Sequence, residues 1–357
     1  MENSIIKEDL KRIALSPLPW SELKAKTILV AGGGGFLAAY LIKSLLTANF
    51  VHDLHCRVIC IARSKLSVEK RLASFIFLPE LSIFEHDVSL PLPSCLPRAD
   101  YIIHAASQAS PKYYGIDPVG TLTANTMGTF YLLQHALFSK AERFMFFSSG
   151  EVYGIPLNPM QLIGETDYGY IDTMNVRSCY AESKRMGETM CVSWAHQYGL
   201  HTSVVRPFHT YGPGMALDDG RVFADFVADV IGHRNIVLKS DGMAKRPFCY
   251  VADATIAFLT VLFLGTKAEA YNVGNPEAET SIRDLATTLT SLFPDRNLKT
   301  QFEIPVSTNS YLKSPISRSC PSIEKISGLH WSPQTSIKDG FRRTVLSFEQ
   351  NSEGNLS

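Results

Sequence analysis

Tyr180 and Lys184 stand four residues apart in the run Tyr180-Ala181-Glu182-Ser183-Lys184. On a helix, that spacing puts both side chains on one face. An ammonium one turn from a phenol favours the phenolate. Lys184 is therefore expected to draw Tyr180 below the ordinary tyrosine pKa of ~10, toward the range useful for proton transfer. Upstream, the apolar run Arg143–Ser149 ends in two hydroxyls, Ser148 and Ser149, followed by Gly150 and Glu151. Further upstream, Gly32, Gly33, Gly34 and Gly35 separate an apolar stretch from a helical one. Bare backbone there can turn tightly and approach a pyrophosphate, whose charge then rests at the helix N-terminus. The fingerprint is Gly32-x-x-Gly35-x-x-Ala38, a wider first spacing than in ordinary dinucleotide folds. Phe36 and Leu37 open the helix at that site. A glycine turn, a strand-end serine and a Tyr–Lys pair, in this order, imply proton transfer beside a bound dinucleotide.

Such residues must be held by a sheet and its crossover helices. Ile28, Leu29 and Val30 read as a strand buried on both faces, and Phe36, Leu37, Tyr40, Leu41 and Leu45 recur at helical spacing. A second strand spans Arg57–Ala62, a third ends in Phe84–Val88, a fourth is Tyr101–Ala106 and a fifth is Arg143–Ser149. Residues 121–138 predict a helix with Leu122, Met127, Phe130, Leu133 and Ala136 facing inward. His201–Arg206 reads as a sixth strand, and the loop after it is rich in turn residues. The expected fold is α/β: a Rossmann-type, doubly wound parallel sheet with a smaller C-terminal substrate-binding lobe. Residues 1–22 form an N-terminal arm, 23–206 mainly the dinucleotide-binding core, and 207–350 mainly the lobe, with interleaved segments returning to the core.

The end of the second strand selects the cofactor. An acid there binds the adenosine ribose; a small residue with a nearby arginine leaves room for a 2′-phosphate. Here Ala62 is followed by Arg63, Ser64 and Lys65. That predicts NADP(H) in preference to NAD(H), with NAD(H) possible; solvated surface charge is the alternative for Arg63 and Lys65. Asp87, followed by Val88, could accept from the adenine amino group or shape a turn. Ala105 and Ala106 suit close passage of ribose and phosphate. His104 reads as a core histidine.

Lys plus Arg is 34 and Asp plus Glu is 34, so the net charge is zero and no nucleic-acid partner is expected. No apolar run has the length of a membrane span and no signal peptide opens the chain, so no membrane partner is expected. The 7 cysteines are scattered without metal-type pairing, which predicts a reduced, cytoplasmic protein without bound metal.

The segments VAGGGGFLAAYL, HAASQASPKYYGIDPVGTLTANTMGT, FFSSGEVYG, RSCYAESKRMGE, RPFHTYGPG, DDGRVFADFV, RPFCYVADA and YNVGN resemble the extended short-chain dehydrogenase/reductase family, in its nucleotide-sugar epimerase/dehydratase branch. ASPKYY, SCYAESKR and GRVFADF look most like UDP-glucuronate decarboxylases. The resemblance implies Tyr180 as acid/base, Lys184 on the nicotinamide ribose, Ser149 on the reacting oxygen and Glu151 as a further catalytic group. It implies Tyr114, Ser149, His209, Arg221 and Arg246 as contacts to a nucleotide-diphosphate sugar; a planar guanidinium suits phosphate oxygens. A homodimer is expected.

Three positions depart from the pattern. Gly150 stands where decarboxylases carry a hydroxyl and dehydratases an aspartate. Ala62 stands where enzymes that recycle a bound NAD carry an acid. His209 stands where asparagine is usual in the substrate loop. With Gly150 and Ala62, the expected reaction is reduction of a nucleotide-linked 4-keto-6-deoxy sugar, such as dTDP-4-dehydro-6-deoxyglucose, in cell-surface polysaccharide (O-antigen) biosynthesis. The alternatives are UDP-glucuronate decarboxylation, 4-epimerisation or 4,6-dehydration, and, outside enzymes, a cofactor-binding sensor or scaffold.

Overall fold

Every position of strand β1 (Thr27–Ala31) is buried, the last four of them aliphatic, and parallel neighbours flank it on both sides. The computed structural model describes residues 2–158, 160–303 and 316–353. The other strands of the first half are β2 (Arg57–Ala62), β3 (Leu81–Glu85), β4 (Tyr101–His104), β5 (Arg143–Phe147) and β6 (Thr202–Pro207). Shorter strands follow: β7 (Thr210–Tyr211), β8 (Ile236–Leu238), β9 (Lys245–Pro247), β10 (Cys249–Tyr250), β11 (Glu269–Val273), β12 (Glu279–Ser281) and β13 (Thr300–Phe302). The helices are α1 (Ser4–Ala14), α2 (Phe36–His52), α3 (Lys65–Arg71), α4 (Lys112–Ile116), α5 (Pro118–Ser139), α6 (Ser178–Tyr198), α7 (Val222–Ile231), α8 (Val251–Leu264), α9 (Ile282–Leu292), α10 (Glu324–Ser327) and α11 (Ile337–Glu353).

Seven strands form one parallel sheet in the order β11-β6-β5-β4-β1-β2-β3. This is the doubly wound arrangement the sequence predicts. The strand order reverses between β1 and β4, which opens a crevice at their carboxyl ends. Alternate residues of each strand serve opposite faces. Ile28, Val30, Val58, Cys60 and Ile103 join one apolar cluster, and Leu29, Ala31, Ile59, Ile61 and Ile102 join the other. Helices cover both, which is why the strands read as unbroken apolar runs. Three two-stranded pairings, β7 with β10, β9 with β12 and β8 with β13, organise much of the chain after residue 207. Residues 304–315, within the lobe expected at 207–350, lie outside the described residues.

Helix α1 is fastened by a buried carboxylate. Asp9 accepts from Tyr40 Oη at 2.8 Å, from Tyr250 Oη at 2.6 Å and from Arg343 Nη2 at 2.9 Å. Burial raises its pKa, against the pull of these donors. The arm therefore packs onto α2, α8 and α11.

Several boundaries differ from expectation. β3 stops at Glu85, β4 at His104 and β5 at Phe147, so Asp87, Val88, Ala105, Ala106 and Ser149 stand on the loops beyond the strand ends. The inward face of α5 is also rotated. Leu122 and Met127 are exposed, while Thr121, Asn125, Gly128, Thr129, Leu132, Leu133 and Ala136 are buried. Small and polar residues win that face because α5 lies directly on α6, where Asn125 Nδ2 donates to Ser183 Oγ at 3.0 Å. No helix among the described residues is long and apolar enough to cross a membrane.

Candidate active site

The glycine turn follows β1 and faces the residues that follow β4. Gly32 has φ +97°, and a Cβ there would stand 2.6 Å from the Ala106 nitrogen. No side chain fits between these two backbones. Gly32 N donates to Ile61 O at 2.7 Å and Gly35 N to Gly32 O at 2.8 Å, which closes the turn. Gly35 is the N-cap of α2 and supplies no side-chain cap. The first N–H groups of α2, at Phe36 and Leu37, therefore lack both an intrahelical acceptor and a capping one. Bare cradle and uncapped helix start fit a dinucleotide pyrophosphate, which Gly32, Gly35, Phe36 and Leu37 would hold. A Cβ at Gly35 would meet only Gly32 O, at 3.1 Å, so it intrudes mainly on the cradle. Gly35→Val should thus fold yet bind NADH ~100-fold more weakly in a fluorescence titration. Wild-type affinity in that variant would place the phosphate elsewhere.

At the adenosine end, Ala62 is buried, and Arg63, Ser64 and Lys65 are exposed. Ser64 Oγ caps α3 by accepting from Ser67 N at 3.2 Å. Lys65 Nζ lies 3.9 Å from Glu69. Glu85, opposite Ala62 in the sheet, brings a carboxylate that accepts from Lys65 N at 2.9 Å. An acid absent from the end of β2 thus stands at the end of β3. Asp117 is held below the usual carboxylate range, first by its hydrogen bond from Gln108, with the Gly120 N–H and the Arg63 charge contributing. Asp87 Oδ1 accepts from both Ser89 N at 2.9 Å and Ser89 Oγ at 2.7 Å, a turn role; Val88 is buried behind it. His104 lies in the core beside Phe146, and burial pushes its pKa down to about 3, so it stays neutral.

Helix α6 carries Tyr180 and Lys184 on one face, and the short turn after β5 brings Ser149 and Glu151 to them. Ser149 Oγ accepts from Glu151 N at 3.2 Å and caps that turn. The Ser149 side chain also hydrogen-bonds the Tyr180 phenol. Tyr114 from α4 stacks on Tyr180, ring centroids 5.1 Å apart at 17°, and donates to Ala109 O at 3.1 Å.

The expected tuning of Tyr180 by Lys184 is not what the structure holds. Burial pushes Tyr180 up to about 12, the Ser149 hydrogen bond opposes this, the nearby Glu151 carboxylate adds to it, and Arg221 draws it down. Lys184 Nζ instead donates to Phe147 O at 2.6 Å, under the Tyr180 ring. Burial pulls Lys184 itself down to about 7, so its charge is weak exactly where the sequence asks for it to be strong.

Arg246 and Arg221 both stand close enough to His209 to act on its charge. Arg221 Nε donates to Asp219 Oδ2 at 2.7 Å, and its Nη2 reaches the same oxygen. Arg246 is tied to backbone: Nη1 to Lys245 O at 2.7 Å and Ser317 O at 3.1 Å, Nη2 to Ile316 O at 2.8 Å. Burial, then Arg246 and Arg221, keep His209 well below the ordinary histidine range, so it is neutral. Gly150 is packed by Phe208: a Cβ there would stand 3.0 Å from the ring.

Sequence reasoning missed a buried ion pair behind these groups. Glu188 takes Arg206 Nε at 2.9 Å and Nη2 at 2.6 Å, and also accepts from Ser148 Oγ. Arg206 Nη1 donates to Tyr153 Oη and to Glu165 O, both at 2.8 Å. The signal was available: Glu188 continues the Tyr180–Lys184 face by one more turn.

Residues 28–274 match the NAD dependent epimerase/dehydratase family. UDP-glucuronic acid decarboxylase 6 of Arabidopsis thaliana is 33% identical over 315 residues, covering 88% of this chain and 86% of that protein. The UDP-glucose 4-epimerase of Thermotoga maritima, solved with UDP-glucose, superposes with a TM-score of 0.76 at 22% identity over 91% of this chain and 99% of that one. The UDP-glucuronic acid 4-epimerase of Bacillus cereus, solved with UDP-glucuronic acid and NAD, gives 0.77 at 22% identity, over 91% and 99%. The likeness to the two solved structures speaks for the fold, and the family match spans more than half of the chain: this protein belongs to the NAD dependent epimerase/dehydratase family.

Proposed function

We propose that the protein is a nucleotide-sugar enzyme that oxidises sugar carbon 4 and releases carbon dioxide from UDP-glucuronate. The observation that carries this reading is Glu151 beside the Ser149–Tyr180 pair, in a chain 33% identical to a UDP-glucuronic acid decarboxylase. It replaces the reductase expected from the sequence, because a UDP-glucuronic acid decarboxylase is 33% identical over 88% of this chain. Bound in the cradle, a nicotinamide would accept and later return one hydride at carbon 4. Tyr180 takes the carbon-4 hydroxyl proton while Ser149 steadies the oxygen. The resulting ketone is β to the carbon-6 carboxylate. The carbon 5–carbon 6 bond then breaks, carbon dioxide leaves, and the electron pair is held as an enolate on the carbon-4 oxygen. A proton from water adds at carbon 5 and restores the ketone, and Tyr180 returns its proton to the carbon-4 oxygen when carbon 4 is reduced again. Arg221, Arg246 and neutral His209 would hold the diphosphate. Exposed Leu122 and Met127 on α5, with Met186 and Val192 on α6, support pairing with a second copy. The free state of the cysteines suits a reducing, cytoplasmic setting.

Ala62 and exposed Arg63 favour a second reading, an NADPH-dependent 4-keto reductase; the Glu85 carboxylate beside Ala62 speaks for NAD instead. Two incubations separate them. UDP-glucuronate with NAD should yield carbon dioxide and a UDP-pentose without net NADH. A 4-keto-6-deoxy sugar nucleotide with NADPH should leave absorbance at the nicotinamide band unchanged. The opposite pair of results would restore the reductase.

A further inference from the structure

We infer that Arg71 is a latch that retains the dinucleotide, one guanidinium joining the glycine turn to the loop on the substrate side of the cleft. The inference rests on the cofactor reading above. Arg71 closes α3 and is half-buried. Its Nε donates to Gly34 O at 2.8 Å and its Nη1 to Gly214 O at 2.7 Å. Gly34 belongs to the turn between β1 and α2. Gly214 belongs to the loop after β7, a few residues beyond His209. Two segments far apart in the chain are thus held by one side chain.

The partners are unusual for a shielded cation. Among the described residues no carboxylate forms an ion pair with Arg71; both acceptors are neutral carbonyls. Burial lowers its pKa from the ordinary arginine value. A cation removed from water without a counter-charge is unfavourable unless an anion completes the site. Gly35, next to Gly34, caps α2, where a pyrophosphate would rest, and that group supplies the missing charge in a partly desolvated setting. Arginine suits the task because its planar fork reaches two diverging carbonyls at once, whereas a lysine point charge reaches one. Gly214 has φ +82°, a conformation that presents its carbonyl at little cost only when the residue is glycine. Separating the turn from the loop requires breaking one of these two bonds. Retention suits an enzyme that returns its hydride to the same sugar.

Release is measured by loading the protein with NADH, chasing with excess NAD and following the fluorescence. Arg71→Met should release NADH ~10-fold faster or more, and Arg71→Lys less so, while UDP affinity without cofactor stays within about twofold of wild type. Release from folded Arg71→Met within about twofold of wild type overturns the latch. Should that variant not fold, Arg71→Lys decides: severalfold faster release supports the latch, and wild-type release overturns it. Wild-type protein that binds neither NADH nor NADPH would overturn the cofactor reading, and the latch with it.

Discussion

Tyr180→Phe should lower turnover by ~10²–10⁴-fold while leaving NADH affinity near wild type. The ring is held by more than its hydroxyl. It stacks on Tyr114 at 5.1 Å, is buried, and lies over Lys184. Phenylalanine keeps those contacts and loses only the proton and the hydrogen bond with Ser149. The glycine cradle lies on a different element and is untouched. The pH profile sharpens the test. Burial holds Tyr180 at about 12, so few molecules carry the phenolate at neutral pH. Wild-type turnover should rise with pH as that phenol ionises, and the residual rate of the variant should lose this rise. Near-normal turnover, or an unaltered pH rise, would remove Tyr180 as the base.

The fold was legible because parallel strands covered on both faces leave unbroken apolar runs. β2 spans the residues its sequence run suggests, and β1 differs by a residue or so. The glycine turn was legible because only bare backbone fits there: a Cβ on Gly32 would stand 2.6 Å from the Ala106 nitrogen. What sequence could not give was orientation around α5, where close contact with α6 selects Asn125, Gly128 and Thr129 over Leu122 and Met127. Nor could it give electrostatics. The spacing of Tyr180 and Lys184 is a helical fact, but the charge on Lys184 depends on how deeply it is buried. Glu85 and Arg71 were missed for a related reason. Their roles come from a neighbouring strand and from a loop more than a hundred residues away, and no local pattern marks them.

Glu188→Gln should cost about 3 kcal/mol of stability, toward the lower end for breaking a buried pair. Arg206 and Glu188 have side-chain exposures of 3% and 13%, so water cannot replace the lost partner. A glutamine keeps the shape but offers one neutral acceptor to a guanidinium that now uses both carboxylate oxygens. Arg206 would remain buried with its charge uncompensated, beside Tyr153 and the Glu165 carbonyl. The disturbance should also reach the chemistry. Glu188 anchors Ser148, the residue before Ser149, and Arg206 directly precedes the Pro207–Gly214 loop that carries His209. Turnover should therefore fall even below the unfolding transition, with a larger change in kcat than in cofactor affinity. The check is urea unfolding of the single variants and of Glu188→Leu with Arg206→Met together. Replacing both charges should recover most of the lost stability, because a well-packed apolar pair often matches a buried ion pair. A loss under about 1 kcal/mol in the single variant would mean that water or a rearranged Tyr153 already serves Arg206, and would reduce the pair to a surface-like contact.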